Sequence, residues 1–172
     1  MQSTMSDLFQ LREKLVRDHF EDEVKQDFES VLSTFPHPRY EIIPTGQIYD
    51  GSDEVNAYYR ATREAFPDQR HEMIQLRHSD DAVIVEFYLL GTHAGRYQGL
   101  APSGATFRVR MTAYFIFEGE TLVCERIYFD TMSMIKQLIG DFKFWKPSSW
   151  LRLIRVLRLS KAMQANRKGG NK

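Results

Sequence analysis

Between Leu8 and Phe35 the apolar residues Leu8, Leu11, Leu15, Phe20, Val24, Phe28, Val31, Leu32 and Phe35 recur mostly at steps of three and four. That spacing gathers them on one helical face, so it predicts one long or two short amphipathic helices. Pro36 and Pro38 end the segment, because proline cannot extend the helical hydrogen-bond ladder. "RYEIIPTGQIY" then predicts a short strand and hairpin arm with Gly46 in the turn. After Asp50-Gly51, Ser52 is placed to cap a helix that has Asp53 and Glu54 in its first turn and runs through Tyr58, Tyr59 and Ala65 to Pro67.

From His71 the period changes to two. "HEMIQLRHSDDAVIVEFYLLGTH" divides at Ser79-Asp80-Asp81 into two strands, the second nearly all apolar and so expected to be covered on both faces. "TFRVRMTAYFIFEGETLVCERIYFD" predicts another pair joined by a tight turn at Glu118-Gly119-Glu120. Strand alternation sends Phe107, Val109, Met111, Ala113, Phe115 and Phe117 one way and Thr106, Arg108, Arg110, Thr112 and Tyr114 the other. Helices, a hairpin arm, a helix and four long strands form the α+β pattern of an antiparallel sheet with helices on one face.

A chain of 172 residues, 42% of them hydrophobic, is enough for one domain with a substantial core. Charge divides it further. Residues 141–172 carry nine basic groups and one acidic, leaving 14 basic and 22 acidic in residues 1–140, so a neutral total hides an acidic body and a basic extension. Within that extension, a helix over 148–161 would space Arg152, Arg155, Arg158 and Lys161 at three-residue steps among Leu and Ile. Such a basic amphipathic helix suits an anionic membrane surface, a partner's groove, or the chain's own acidic body, and Ala165–Lys172 is expected to be disordered. Nucleic acid is disfavoured as a partner, since the acidic body would repel phosphate. "MQSTMSDLFQLREKL" lacks the unbroken apolar stretch of a signal peptide, no run is long enough to span a membrane, and Cys124 has no partner for an internal disulfide. The expectation is a soluble, cytoplasmic protein.

Several chemistries fail on residue type. The five histidines, at 19, 37, 71, 78 and 93, show neither His-x-x-x-His nor Glu-x-x-His spacing, which gives a metal site weak support. There is no Gly-x-Ser-x-Gly elbow, and Cys124 falls within a strand. "GTHAGRYQG" is rich in glycine but precedes no helix.

"FPDQRHEM" at Phe66–Met73, "GTHAGRYQGLAPSGATF" at Gly91–Phe107, "FIFEGETLVCERIYFD" at Phe115–Asp130 and "MIKQLIG" at Met134–Gly140 together resemble the SnoaL-like polyketide cyclase, or ester cyclase, branch of the nuclear-transport-factor-2-like superfamily. The resemblance covers roughly residues 10–140 and departs from the family phrase Gly-Leu-x-Pro-Thr-Gly only at Ser103. It implies a cone, in which a curved antiparallel sheet wraps helices around a mostly apolar pocket, and frequent homodimers. It also implies an aspartate that acts as general acid/base in an intramolecular aldol closure, without metal or organic cofactor. Asp130 is the match to that aspartate, with the alternative that it only caps the following helix.

The expected site therefore has Asp130 and His93 as catalytic groups, with Arg110, Thr112, Tyr114, Tyr49, Tyr58 and Phe66 around the substrate. His93 equally suits a hydrogen bond to a loop, and Arg108 an outward, solvated face. The leading function is a cofactor-independent cyclase, isomerase or hydrolase acting on a hydrophobic carbonyl-bearing small molecule such as a polyketide. The alternative is a non-catalytic small-molecule-binding or protein-interaction module of the same fold.

Overall fold

Two helices open the fold, α1 at Met5–Lys25 and α2 at Phe28–Ser33, separated where Gln26 takes a positive φ of 62° and Asp27 caps α2 through Ser30. The computed structural model describes residues 5–139 together with 147, 150, 151 and 154. Beyond those four positions, the expected basic helix at 148–161 and the end of the chain lie outside the described residues. No helix among the described residues is long and apolar enough to cross a membrane.

The buried face of α1 is not the stripe that its leucines suggest. Arg12, Val16, His19, Phe20 and Glu23 are buried, whereas Leu11 and Val24 are more than 40% exposed. Three polar side chains thus occupy the helix's inner face, His19 about two turns beyond Arg12 and Glu23 about one turn beyond His19. Arg12 shows how such a residue is accommodated. Its Nε and Nη2 donate to the Gly119 carbonyl at 2.9 and 2.6 Å, its Nη1 donates to the Asp80 carbonyl at 2.9 Å, and its guanidinium lies 5.0 Å from the Phe117 ring centre. One side chain ties α1 to both hairpin turns of the sheet.

Helix α3, Ser52–Ala65, starts one residue earlier than the cap expected from sequence: Ser52 already lies in the helix and Gly51, at φ 95°, takes the cap position. The acidic first turn closes on itself instead, with the Asp50 amide donating to the Glu54 carboxylate at 2.9 Å.

Six strands form one sheet in the order β2-β1-β6-β5-β4-β3: β1 Arg39–Ile42, β2 Gln47–Asp50, β3 Arg70–His78, β4 Ala82–Thr92, β5 Thr106–Glu118 and β6 Thr121–Phe129. Both long hairpins turn where the sequence predicts. The sheet is not wholly antiparallel, because β1 pairs with β6 in parallel, with Tyr40 opposite Glu125 and Ile42 opposite Ile127. Helix α4, Thr131–Ile139, closes the described fold.

Phe107, Val109, Met111, Ala113, Phe115 and Phe117 of β5 are all buried against the helices, where Phe20 meets Phe115 and Phe87 at ring distances of 5.6 and 5.0 Å. Each large side chain removed from water in this way contributes roughly 1.5–3 kcal/mol. A bulge then reorders β6. Ile116 pairs with Cys124 but Phe117 pairs with Leu122, leaving Val123 as the extra residue. Downstream of the bulge Glu125 stands opposite Phe115 and faces inward, while Cys124 shares the side of Ile116.

Candidate active site

The concave side of the sheet and helices α1 and α3 enclose a cavity of about 320 Å³, at the small end of those that hold organic ligands. Its wall is mostly aromatic and aliphatic, with Tyr40, Tyr49, Tyr58, Tyr59, Tyr97, Phe66 and Phe87 among the lining residues. Three ionisable groups reach it from the interior of the fold: Glu23 from α1, His71 from β3 and Glu125 from β6. His19 lies behind them, wholly buried and outside the lining.

Helical spacing places His19 and Glu23 one turn apart on the inner face of α1, and the β6 bulge delivers Glu125 to the same point. His19 Nε2 is 3.4 Å from Glu125 Oε2, 3.7 Å from Glu23 Oε1 and 2.8 Å from the Tyr40 hydroxyl. The Thr34 hydroxyl donates to the Val31 carbonyl at 2.7 Å, so at 3.1 Å it accepts from His19 Nδ1–H. With Nδ1 protonated, a second proton on Nε2 makes His19 a cation between two carboxylates. Burial disfavours that charge, but the hydrogen bonds and charges of Glu125 and Glu23 outweigh it and raise the His19 pKa to about 9.

The two carboxylates are driven apart. Burial would raise Glu23, yet the His19 hydrogen bond and the positive charges of His71 and His19 hold it down at about 2. Burial dominates at Glu125, reinforced by the nearby charge of Glu23, and raises its pKa despite His19. Glu125 Oε2 has no hydrogen-bond partner of standard geometry. Above it the Tyr40 and Tyr59 hydroxyls are hydrogen-bonded to each other, and both are kept neutral because burial pushes their pKa values far up. His71 Nε2 is 3.4 Å from Glu23 Oε2, and burial favours its neutral form. One carboxylate held ionised, one whose proton affinity burial raises, and two neutral phenol hydroxyls therefore share a single apolar cavity. Opposed environments of this kind are the ones that acid/base sites use.

His19, Glu23 and Glu125 each offer a donor atom within 4.8 Å of the others, a spacing that a metal ion could bridge. A metal there would have to displace the proton that the two carboxylates favour on His19 Nε2.

The residues proposed from sequence divide between the two faces of the sheet. Tyr49, Tyr58 and Phe66 line the cavity. Asp130 does not: it is exposed, and its Oδ1 accepts from the amides of Met132 and Ser133 at 2.9 and 3.2 Å, so it caps α4. Arg110, Thr112 and Tyr114 point away from the cavity, because the apolar face of β5 fills the cone and its polar face is the outer surface. On that surface Arg110 pairs with Glu86 at 2.5 Å and Tyr114 packs on Tyr128 at 5.5 Å.

His93 is almost wholly buried but does not line the cavity. Ser103 Oγ donates to the Leu138 carbonyl at 2.6 Å and stands 3.1 Å from His93 Nδ1, where it accepts the ring's proton. This ties the loop after β4 to α4.

The alternation of β5 was legible from sequence, but which of its faces enclosed the cavity was not. Glu23, Glu125, His19 and His71 went unrecognised, although His19-x-x-x-Glu23 within a helical pattern was an available signal.

A sequence model described as SnoaL-like polyketide cyclase matches residues 14–138. No protein of curated function matches the sequence. Among solved structures, a candidate SnoaL-like polyketide cyclase from Jannaschia sp. CCS1 superposes with a TM-score of 0.73 at 18% identity, covering 81% of this chain and 99% of that one. IdmH from Streptomyces antibioticus, described as a candidate polyketide cyclase, gives 0.63 at 19% identity over 74% of this chain and 97% of its own. AclR from Streptomyces galilaeus, described as a candidate hydroxylase, gives 0.64 at 16% identity over 74% and 83%. At such identities these likenesses speak for the fold, whereas the sequence match spans most of the described residues: the chain belongs to the SnoaL-like polyketide cyclase family.

Proposed function

We propose that the chain is an acid/base enzyme that closes a carbon–carbon bond within a hydrophobic, carbonyl-bearing small molecule. The observation that carries this reading is the opposed proton affinity of Glu23 and Glu125 around one buried imidazole at the cavity wall. Family membership supports a cyclase over other uses of the same groups.

In this reading the Glu23 carboxylate removes a proton from the carbon next to a carbonyl, and the phenols of Tyr40 and Tyr59 donate to the enolate oxygen. The enolate carbon then attacks a second carbonyl carbon of the same molecule. As that bond forms, the carbonyl's π pair moves to its oxygen, which takes the proton of Glu125. Glu23 ends protonated and Glu125 ionised. His19, within 3.7 Å of both, resets them by passing one proton to Glu125 and taking one from Glu23.

The first half of this cycle is testable without the natural substrate. β-Tetralone, a flat hydrophobic ketone with a slowly exchanging acidic C–H, is incubated with the protein in heavy water and followed by proton NMR. Faster exchange than in buffer, lost in Glu23→Gln with folding retained, supports the reading. Exchange at the buffer rate in the wild-type protein would sink it and favour a non-catalytic ligand-binding module.

A further inference from the structure

The lining of the cavity includes a single arginine or lysine, Arg96, which is exposed at its rim. Most other arginines of the described fold have a partner: Arg17 pairs with Glu13, Arg39 with Asp50, Arg108 with Glu72, Arg110 with Glu86 and Arg126 with Glu41. Arg96 has no carboxylate or hydrogen-bond partner among the described residues.

The backbone around it is held at both ends. Upstream, the amides of Ala94 and Gly95 both donate to the Ala65 carbonyl at 3.0 Å, and a Cβ at position 95 would stand 2.1 Å from the Glu64 carbonyl, so only glycine allows this approach. Downstream, Tyr97 and Leu100 exchange both backbone hydrogen bonds around Gln98 and Gly99, which have φ values of 45° and 82°. The Tyr97 ring is seated on Phe66 at 4.8 Å. A fixed loop therefore presents one unneutralised guanidinium to an aromatic cavity whose interior holds the Glu23 anion.

This is a polarised container. An anionic ligand group is repelled by Glu23 and drawn to Arg96, where the planar fork of a guanidinium matches a carboxylate in two parallel hydrogen bonds. The neighbouring polar lining at Gln47 and Gln98 is uncharged, which suits a monoanion better than a dianionic phosphate.

The geometry points to Arg96 as the substrate-orienting residue of this cavity, binding an aromatic or polyunsaturated ligand by a carboxylate at the rim so that its carbonyl end reaches Glu23 and Glu125. The inference rests on the reading of the cavity as the substrate site.

The test compares β-naphthoate with its neutral isostere β-naphthamide by isothermal titration against wild type, Arg96→Gln and Glu23→Gln. Wild type is expected to prefer the acid by roughly ten- to a hundred-fold, the range of a charge-assisted hydrogen bond. Arg96→Gln abolishes that preference while amide binding persists, and added salt erodes it in wild type. Glu23→Gln retains it. Equal affinity for the two compounds, a preference that survives Arg96→Gln, or no binding of either overturns the inference. A preserved preference together with an exchange rate no faster than buffer would instead remove the catalytic reading and leave the anion subsite standing.

Discussion

Glu23 and Glu125 enter one cavity from opposite layers of the fold, the first from helix α1 and the second from strand β6, and both lie within 3.7 Å of His19 Nε2. Neither position could be exchanged with a neighbour on its own element. Residues flanking Glu23 leave the inner face of α1, and Cys124 and Arg126 lie on the other side of the sheet from Glu125.

Proton transfer by this pair gives a pH dependence whose alkaline limb is set by Glu125. Glu23 is already ionised above about 2, whereas the burial-raised pKa of Glu125 sets the pH above which the acid is lost. kcat/KM is expected to fall as pH rises through that value, and Glu125→Gln to give a low rate without that fall. The profile can be recorded with any turned-over ketone.

Stability should also decline on the alkaline side. The pKa of His19 rises from 6.5 unfolded to about 9 folded, so the stability it contributes is fully present below 6.5 and is lost as pH climbs through about 9. The raised pKa of Glu125 acts in the same direction, because its contribution is greatest below 4.5. Glu23 opposes on the acid side, with a contribution present above 4.5 and lost as pH falls through about 2. Melting temperatures taken between pH 6.5 and 9 should fall by several degrees in wild type and by less in His19→Gln.

Arg12→Ala is expected to destabilise the fold by about 3 kcal/mol, since it strips the Gly119 and Asp80 carbonyls of their buried donor and uncovers Phe117. Urea unfolding would read this loss. The cavity lies elsewhere, so tetralone exchange by the folded variant should match wild type.

Asp130→Ala separates cap from catalyst. Loss of the hydrogen bonds to Met132 and Ser133 should cost about 1 kcal/mol, with unchanged exchange activity. A variant that folds normally but no longer exchanges would return Asp130 to the reaction.

The architecture was legible because it rests on local periodicity. β5 alternates, β4 is a nearly continuous apolar run, and the turns at Ser79-Asp80-Asp81 and Glu118-Gly119-Glu120 separate the four long strands as expected. The site was not, for two physical reasons. On α1 the inner face carries Arg12, His19 and Glu23, so a search for apolar spacing follows Leu11 and Val24, which are largely exposed. On β6 strict alternation would place Glu125 with Val123 and opposite Leu122, and the strand obeys it only on one side of the bulge. Tyr49, Tyr58 and Phe66 were found because aromatic residues on helix and hairpin faces need no such correction.

The bulge at Val123 has a consequence for comparing this chain with others. It works as a frameshift in side-chain facing: inward residues carry even numbers before it, as at Leu122, and odd numbers after it, as at Glu125 and Ile127. A relative lacking the extra residue keeps the same facing downstream while its numbering slips by one. An ungapped alignment through β6 would then set that relative's inward carboxylate against Cys124 and score the shared acid as absent.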